Sequence, residues 1–171
     1  MKKFTVAGAG LAGTEAAWQI AQAGYPVTLV EMKPQKFSPA HKSEYFAELV
    51  CSNSLKASRL ESAAGLLKEE MARLGSLTVP VARGCAVAAG GALAVDRDVF
   101  SKTITEKINS HPNITVEHRV FDKIAPDDDE ILIIATGPLT DGALSDEIKR
   151  LCGDCLSFYD CLLYTSPSPR D

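Results

Sequence analysis

Residues 3–13 read KFTVAGAGLAG, and this stretch indicates the fold class of the whole chain. A short apolar run ends in glycine, and Gly8, Gly10 and Gly13 then form the pattern G-x-G-x-x-G. When this pattern follows a strand and opens a helix, its glycines allow a tight turn, close approach to a pyrophosphate, and close packing of the helix. The stretch therefore predicts the start of a dinucleotide-binding βαβ unit.

The residues that follow complete this unit. Residues 14–23 place apolar side chains at helical spacing, and a second apolar run over 27–30 ends at Glu31. Glu31 lies close to the expected ~20 residues downstream, where a carboxylate binds ribose hydroxyls and repels a 2′-phosphate. FAD or NAD is thus favoured over a tight turn without a ligand. The predicted cofactor contacts are Gly8, Ala9, Gly10, Leu11, Ala12, Gly13 and Glu31.

A second short motif favours FAD over NAD as the tightly held cofactor. IIATGP at 133–138 ends an apolar strand with Ala-Thr-Gly. It resembles the motif of two-dinucleotide-binding flavoproteins in which a strand end runs beside the bound FAD. A plain turn after a core strand is the alternative. In combination with the first motif, it adds Thr136 and Gly137 to the predicted site.

Composition limits the class of protein. The 171 residues carry a formal charge of −4, so overall charge does not point to nucleic acid. No stretch approaches the ~20 apolar residues of a membrane span. Five unevenly spread cysteines indicate a reduced, cytoplasmic protein rather than a disulfide-stapled one. We therefore expect neither a membrane nor a DNA partner.

Further elements are predicted from periodicity and capping signals. Ser58 and Glu61 have the spacing of a capping box, and Asp98 is placed to cap a later helix. The strand at 131–135 is continuously apolar, which is typical of burial on both faces. The remaining predictions are a short helix over 43–49, a helix over 58–74, a hairpin within 84–96, a helix over 98–110, and strands at 114–116 and 120–124.

Four longer segments resemble one bacterial enzyme family. AELVCSNSLK at 47–56 is joined by GLLKEEMARLGSL at 65–77, AGGALAVDRDVFS at 89–101 and IIATGPLTDGAL at 133–144. From Lys2 to Asp160 the chain is similar to the flavin- and folate-dependent methylenetetrahydrofolate–tRNA-(uracil-5-)-methyltransferases (TrmFO). The resemblance implies an α/β fold, a Rossmann-like FAD/NAD(P)-binding domain of the glutathione-reductase-like class, incomplete at its C-terminus.

The resemblance also implies an activity. FAD would be the cofactor, with NAD(P)H and 5,10-methylenetetrahydrofolate as co-substrates, and 5-methyluridine would form in the T-loop of tRNA. Two alternatives are weighed: the related flavoprotein that modifies tRNA uridine with a carboxymethylaminomethyl group, and a non-catalytic dinucleotide-binding module. The first shares the fold but lacks the VCSNSLK segment.

Cys51 is the residue that the resemblance implicates in catalysis. Judged locally, it is a small buried residue, because cysteine is often buried and inert. Its match to the family segment suggests a thiol that adds to carbon 6 of uracil, since a thiolate is a strong nucleophile that can leave again. It would be either this nucleophile or an accessory thiol beside the flavin. Arg97, in the family-like DRD at 96–98, either positions flavin or substrate or belongs to a helix cap with a surface ion pair.

The family-like pattern stops after LSFYD at 156–160. CLLYTSPSPRD at 161–171 does not resemble the family's continuation, and its composition is typical of a disordered, non-native tail. We predict a partial FAD-binding domain over 1–160, and we do not expect the isolated fragment to be active. Cys152 and Cys155 form a C-x-x-C, but a coincidence is favoured over a redox or zinc site, so no metal is predicted.

Overall fold

The computed structural model describes residues 2–124 and 129–153. The strands are β1 Lys3–Ala7, β2 Val27–Glu31, β3 Ser54–Ala57, β4 Ala86–Val87, β5 Ala92–Val95, β6 Ile114–His118 and β7 Glu130–Ile134. The helices are α1 Leu11–Gln22, α2 Ala63–Arg73, α3 Thr78–Gly84, α4 Arg97–Ser110 and α5 Gly142–Cys152. The predicted tail at 161–171 and Cys155 lie outside the described residues.

A four-stranded parallel sheet in the order β6-β2-β1-β7 forms the centre of the fold. β1 pairs with β2 at Phe4 and Val27, and with β7 at Val6 and Ile133. The predicted βαβ unit is therefore confirmed. Because parallel strands all end at one edge of the sheet, the glycine turn, Glu31 and the Ala-Thr-Gly turn share that edge.

Two helices, α1 and α4, contribute apolar side chains to the core of the central sheet. α1 turns small side chains, including the buried Ala17 and Ala21, toward the sheet, which allows close packing. α4 buries Phe100, Ile104 and Ile108 completely, at the i, i+4, i+8 spacing of one helical face. Each such large apolar side chain contributes about 1.5–3 kcal/mol on burial.

A small antiparallel sheet in the order β3-β5-β4 is inserted in sequence between β2 and β6 of the central sheet. The predicted hairpin within 84–96 is confirmed as β4 and β5. β3 was not predicted, because its four residues carry a bulge between Ser54 and Ala57 and no alternating pattern. α3 was not predicted either, since a seven-residue helix is too short to show periodicity.

The predicted starts of two helices are wrong. α2 begins after Ser62, whose hydroxyl accepts from the Gly65 amide at 3.1 Å, because Ser58 is held elsewhere by its bond to the Gly91 carbonyl. α4 begins after Asp96, whose carboxylate accepts from the amides of Asp98 and Val99. In both helices, the cap is the polar residue whose side chain reaches the first free backbone amides, Ser62 in α2 and Asp96 in α4.

Three other predictions also fail. Residues 43–49 form bends rather than a helix, and no strand forms over 120–124. β7 is the outer strand of the sheet in the described ranges, so Ile131 and Ile134 each stay 37% exposed instead of being buried on both faces. Among the described helices, none has the length and apolar character needed to cross a bilayer.

Candidate dinucleotide and thiol site

The turn after β1 requires glycine at its first position. Gly8 has φ +97°, and its amide donates to the Val30 carbonyl at 2.8 Å. A Cβ at Gly8 would lie 2.6 Å from the carbonyl oxygen of Ala135. A left-handed backbone and a crowded neighbour both exclude other side chains here. The turn therefore packs between Val30 of β2 and Ala135, which follows β7.

The other two glycines have different roles. A Cβ at Gly13 would lie 1.7 Å from the Gly8 carbonyl oxygen, so the first turn of α1 packs directly on the loop. A Cβ at Gly10 would meet nothing within 4 Å, so the space above Gly10 is open. The first backbone bond of the helix runs from the Thr14 amide to the Gly10 carbonyl at 3.0 Å, and no side chain caps the end.

This open helix end suits a phosphate group. The amides of Leu11, Ala12 and Gly13 precede the first intrahelical donor, so they have no acceptor within the helix. The first turn carries no acidic side chain. Amides without an acceptor inside the helix and the positive helix end together favour an anion. The predicted loop residues thus form a cradle that fits a pyrophosphate.

Glu31 is brought to the glycine loop by the end of β2. Its side chain is 6% exposed, and one carboxylate oxygen accepts from the Ala9 amide at 2.7 Å. The other oxygen accepts from the Lys33 amide at 3.0 Å. Each carboxylate oxygen keeps a further lone pair, so Glu31 can still accept a ribose hydroxyl.

The Ala-Thr-Gly turn reaches the same place. The Ala135 amide donates to the Ala7 carbonyl at 2.8 Å, which extends the pairing of β7 with β1 up to Gly8. Thr136 shares a hydroxyl–hydroxyl bond of 2.6 Å with Thr140, and Gly137 turns the chain with φ +78°. The structure therefore brings Thr136 and Gly137 beside the predicted loop.

The segment that precedes Cys51 also packs on the glycine loop. The Ala47 amide donates to the Ala9 carbonyl at 2.9 Å, and the Phe46 amide donates to Thr105 Oγ1 at 2.8 Å on α4. Phe46 and Ala47 are each 1% exposed. Ala47 adopts φ +50°, an uncommon value for a residue with a side chain. The loop and the segment are thus in direct contact.

Cys51 itself is exposed, so the local expectation of a buried residue is wrong. Its segment is fixed on the far side as well, because the Asn53 carbonyl accepts from the Val95 amide at 2.9 Å and the Asn53 side chain donates back at 3.2 Å. Lys56, at the end of this segment, has φ +65°. Cys51 therefore lies between two anchored residues, Ala47 and Asn53, and is itself accessible.

Arg97 lies on the side of the small sheet rather than at the glycine loop. It follows Val95, the partner of Asn53, by two residues, and its side chain is exposed. Within residues 2–124 and 129–153, it forms no ion pair. Its neighbour Asp96 caps α4, as one of the two interpretations requires. The structure therefore supports the helix cap, through Asp96, but not the surface ion pair expected beside it in the described residues.

Lys33 and Glu48 were not singled out in the sequence. Lys33 follows β2 and is 4% exposed, yet its ammonium donates to the carbonyls of Ser43, at 3.0 Å, and Tyr45. Glu48 lies 3.7 Å from that ammonium. Burial lowers the pKa of Lys33, and the charges of Glu31 and Glu48 oppose this effect. A lysine in an aperiodic loop carries no sequence signal for such burial.

Cations collect beside the Cys51 segment. Lys68 donates to the Ala57 carbonyl at 2.9 Å, which places its ammonium against β3. Burial lowers the pKa of Lys68, and the neighbouring Lys56 and Arg83 lower it further. Arg83 is paired with Glu69, whereas Lys56 and Arg59 are exposed and have no acidic partner in the described part of the chain. This group, Lys56, Arg59, Lys68 and Arg83, is the β3 cation cluster.

No other described feature competes as a site. A cavity of about 250 Å³ lies at the opposite edge of the sheet, where the strands begin, next to Phe4, Val27 and Thr115. No cluster of three or more possible metal-ligating side chains occurs in the described residues.

A parallel sheet with this glycine turn, its acidic partner and a second turn at one edge defines a Rossmann-like dinucleotide-binding domain. The chain belongs to the family described as glucose inhibited division protein A, which matches residues 3–153. A solved structure of Aquifex aeolicus GidA in its form II crystal covers 88% of this chain with a TM-score of 0.70. At 13% identity, that likeness concerns the fold, and it spans 31% of the GidA chain.

Three relatives are much closer in sequence. The methylenetetrahydrofolate–tRNA-(uracil-5-)-methyltransferase TrmFO of Enterococcus faecalis is 58% identical over 160 residues, which are 93% of this chain. The TrmFO proteins of Parasynechococcus marenigrum and Aquifex aeolicus are 53% and 54% identical over 98% and 94% of this chain. The chain spans only 36%, 35% and 36% of these relatives' lengths.

Proposed function

We propose that the chain is the dinucleotide-binding part of an FAD-dependent methyltransferase that forms 5-methyluridine in the T-loop of tRNA. The observation that carries the proposal is the bond from the Ala47 amide to the Ala9 carbonyl, which seats the Cys51 segment on the glycine loop. The identity of 53–58% to proteins named TrmFO supports the same activity. The carboxymethylaminomethyl alternative is less supported, because the family model does not separate the two and the solved GidA structure is only 13% identical to this chain.

The residues present fit FAD. The open helix end at Leu11, Ala12 and Gly13 would hold the pyrophosphate, with Gly10 leaving space for its approach. Glu31 would accept a ribose hydroxyl with the lone pairs that the Ala9 and Lys33 amides leave unused. Thr136 and Gly137 would border the cofactor from β7.

Cys51 is the residue we propose for catalysis. A bound FAD, reduced by NAD(P)H, would supply the electrons that complete the methyl group, and 5,10-methylenetetrahydrofolate would supply its carbon. The exposed thiol of Cys51 can reach a base presented from outside, and as a thiolate it can add to carbon 6 of uracil. That addition makes carbon 5 nucleophilic toward the one-carbon unit. Loss of the carbon-5 proton to a base then expels the sulfur as thiolate and restores the ring double bond.

The β3 cation cluster supports an RNA partner. Lys56 lies five residues after Cys51, so their Cα atoms are at most about 18 Å apart. Exposed cations at that distance can neutralise phosphates next to a uridine held at the thiol, which positions RNA without reading its sequence. A tRNA substrate also fits a cytoplasmic protein.

A chimera tests this proposal, because the chain spans about a third of its relatives. Residues 3–153 would replace the matching segment of the Enterococcus faecalis relative, and the product would be measured as 5-methyluridine in unmodified tRNA. We expect a yellow protein that forms 5-methyluridine when NAD(P)H and 5,10-methylenetetrahydrofolate are supplied. A folded chimera that retains no flavin, or makes no 5-methyluridine while the parent enzyme does, would contradict the proposal.

A further inference from the structure

Lys33 is part of a closed ring of hydrogen bonds that links the glycine loop to the 43–48 loop. The ring starts at the Ala9 amide, which donates to Glu31, and continues through Glu31 to the amide of Lys33. The Lys33 ammonium then binds two carbonyls of the 43–48 loop. The bond from the Ala47 amide to the Ala9 carbonyl closes the ring.

Glu48 adds further contacts to this ring. Its carboxylate accepts from the amides of Lys42, at 3.0 Å, and Ser43, at 3.2 Å, while lying 3.7 Å from the Lys33 ammonium. Lys33 and Glu48 therefore both bind the backbone of residues 42–45, one as a donor and the other as an acceptor. Lys33 donates to carbonyls of this stretch, and Glu48 accepts from its amides. Residues 43–48 have no helix or strand of their own to order them.

We propose that Lys33 is a positioning residue for Cys51: it ties residues 42–48 to the glycine loop, so that the thiol segment is held in register with the dinucleotide site. This inference rests on the proposed function for its catalytic meaning, although the ring itself is independent of it. Removal of the ammonium leaves two part-buried carbonyls without their donor and the Glu48 carboxylate without its neighbouring cation, which is costly.

Hydrogen exchange of the full chain tests the positioning role directly. In Lys33→Met, we expect the amides of residues 42–48 to exchange at least about tenfold faster, because the loss of a buried donor favours local opening. Amides of α4 should change less than about twofold. Lys36→Met is the matched control, since Lys36 lies in the same loop but pairs with Asp141 on the surface. It should leave exchange unchanged.

Two further variants keep the test decisive. Lys33→Arg keeps charge and donors, so it should restore slow exchange, whereas Glu48→Gln should speed exchange only within 42–48. If Lys33→Met does not fold, the Glu48→Gln result decides. Wild-type exchange in Lys33→Met or in Glu48→Gln, or equal effects of Lys33→Met and Lys36→Met, would overturn the proposal.

The chimera separates this inference from the proposed function. In the chimera, Lys33→Met should lower kcat for methylation by at least about tenfold, while the KM for tRNA stays within about twofold. The reason is that the substitution displaces Cys51 but leaves the RNA-binding surface in place. Lys33→Arg should recover kcat. An unchanged kcat would contradict the positioning role. An unmutated chimera without activity would instead contradict the function and leave the exchange result valid.

Discussion

Glu15 shows how a single partly buried carboxylate can join two helices. It projects from α1 and accepts from the Thr78 amide and hydroxyl, at 3.0 and 2.7 Å, from the Ser76 hydroxyl at 3.0 Å, and from the Leu77 amide at 3.2 Å. It thereby pairs the amides at the start of α3, which has no capping side chain of its own. Burial alone raises the pKa of Glu15, but the bonds from Thr78, Gln19 and Ser76 outweigh it and lower the pKa.

Glu15→Gln should lower stability in a pH-dependent way. Because the native pKa lies below the unfolded one, the charged carboxylate stabilises the fold above the unfolded pKa and loses this effect as pH falls through the native value. We expect a loss of stability at neutral pH that is smaller at a second, acidic pH below the ordinary pKa of a glutamate. Urea unfolding at both pH values measures it. An equal difference at both would contradict the assignment.

The sequence predicts Glu31 and misses Glu15 for a physical reason. Glu31 belongs to a local pattern, in which a fixed spacing from the glycine turn follows from the length of one βαβ unit. The partners of Glu15 lie 61 to 63 residues away, so only the folded chain brings them together. Lys33 is similar, because its burial depends on how an aperiodic loop closes over it.

The glycine turn permits a prediction at the level of an element, because its glycines differ in what surrounds them. Gly10→Ala should fold normally, since its added Cβ meets nothing, but should weaken FAD binding by at least about tenfold because the methyl group occupies the phosphate approach. Gly13→Ala should destabilise the fold, since its Cβ would clash with the Gly8 carbonyl.

Thermal unfolding and flavin titration of the two chimera variants distinguish these effects. Gly10→Ala should keep its Tm within a few degrees, whereas Gly13→Ala should lower it clearly. If Gly10→Ala bound flavin as the parent does, the turn would not be the pyrophosphate site.

The β3 cation cluster yields a second prediction at this scale. Lys56→Glu should weaken tRNA binding by the chimera and reduce the slope of log affinity against log salt by about one, because one phosphate contact is lost. Lys149→Glu, an equal charge change on the exposed face of α5, is the control. Filter binding over a range of salt concentrations measures both. Equal effects of the two substitutions would indicate net charge rather than a contact surface.

Element boundaries were less predictable than element types. The spacing predicted α2 and α4, but their starts depended on which polar side chain reached the first amides. Ser58 is bound to Gly91, a contact 33 residues away, so Ser62 caps α2 instead. Leu67 in α2 and Leu74, just after its end, are 56% and 78% exposed, because this helix contacts little of the described structure.

At the scale of the whole molecule, the sequence predicted the parallel sheet and its ligand-bearing edge. The glycine turn, Glu31 and the Ala-Thr-Gly turn each follow a strand, so the topology alone places them together. The contact of the Cys51 segment with Ala9 was not predictable in this way. It joins Ala9 to a loop without helix or strand, in which Ala47 adopts φ +50° and Lys33 is buried, and no local pattern predicts either feature.

The most direct test of the link between this dinucleotide site and Cys51 is the methylation rate of the Cys51→Ala chimera, measured together with its flavin content. We predict that flavin absorbance is unchanged, because Cys51 is not part of the glycine loop, while formation of 5-methyluridine falls by at least about 100-fold. Cys152→Ala, at an exposed cysteine of α5, should retain full activity. Unchanged turnover of Cys51→Ala with flavin bound would contradict a catalytic role for this thiol.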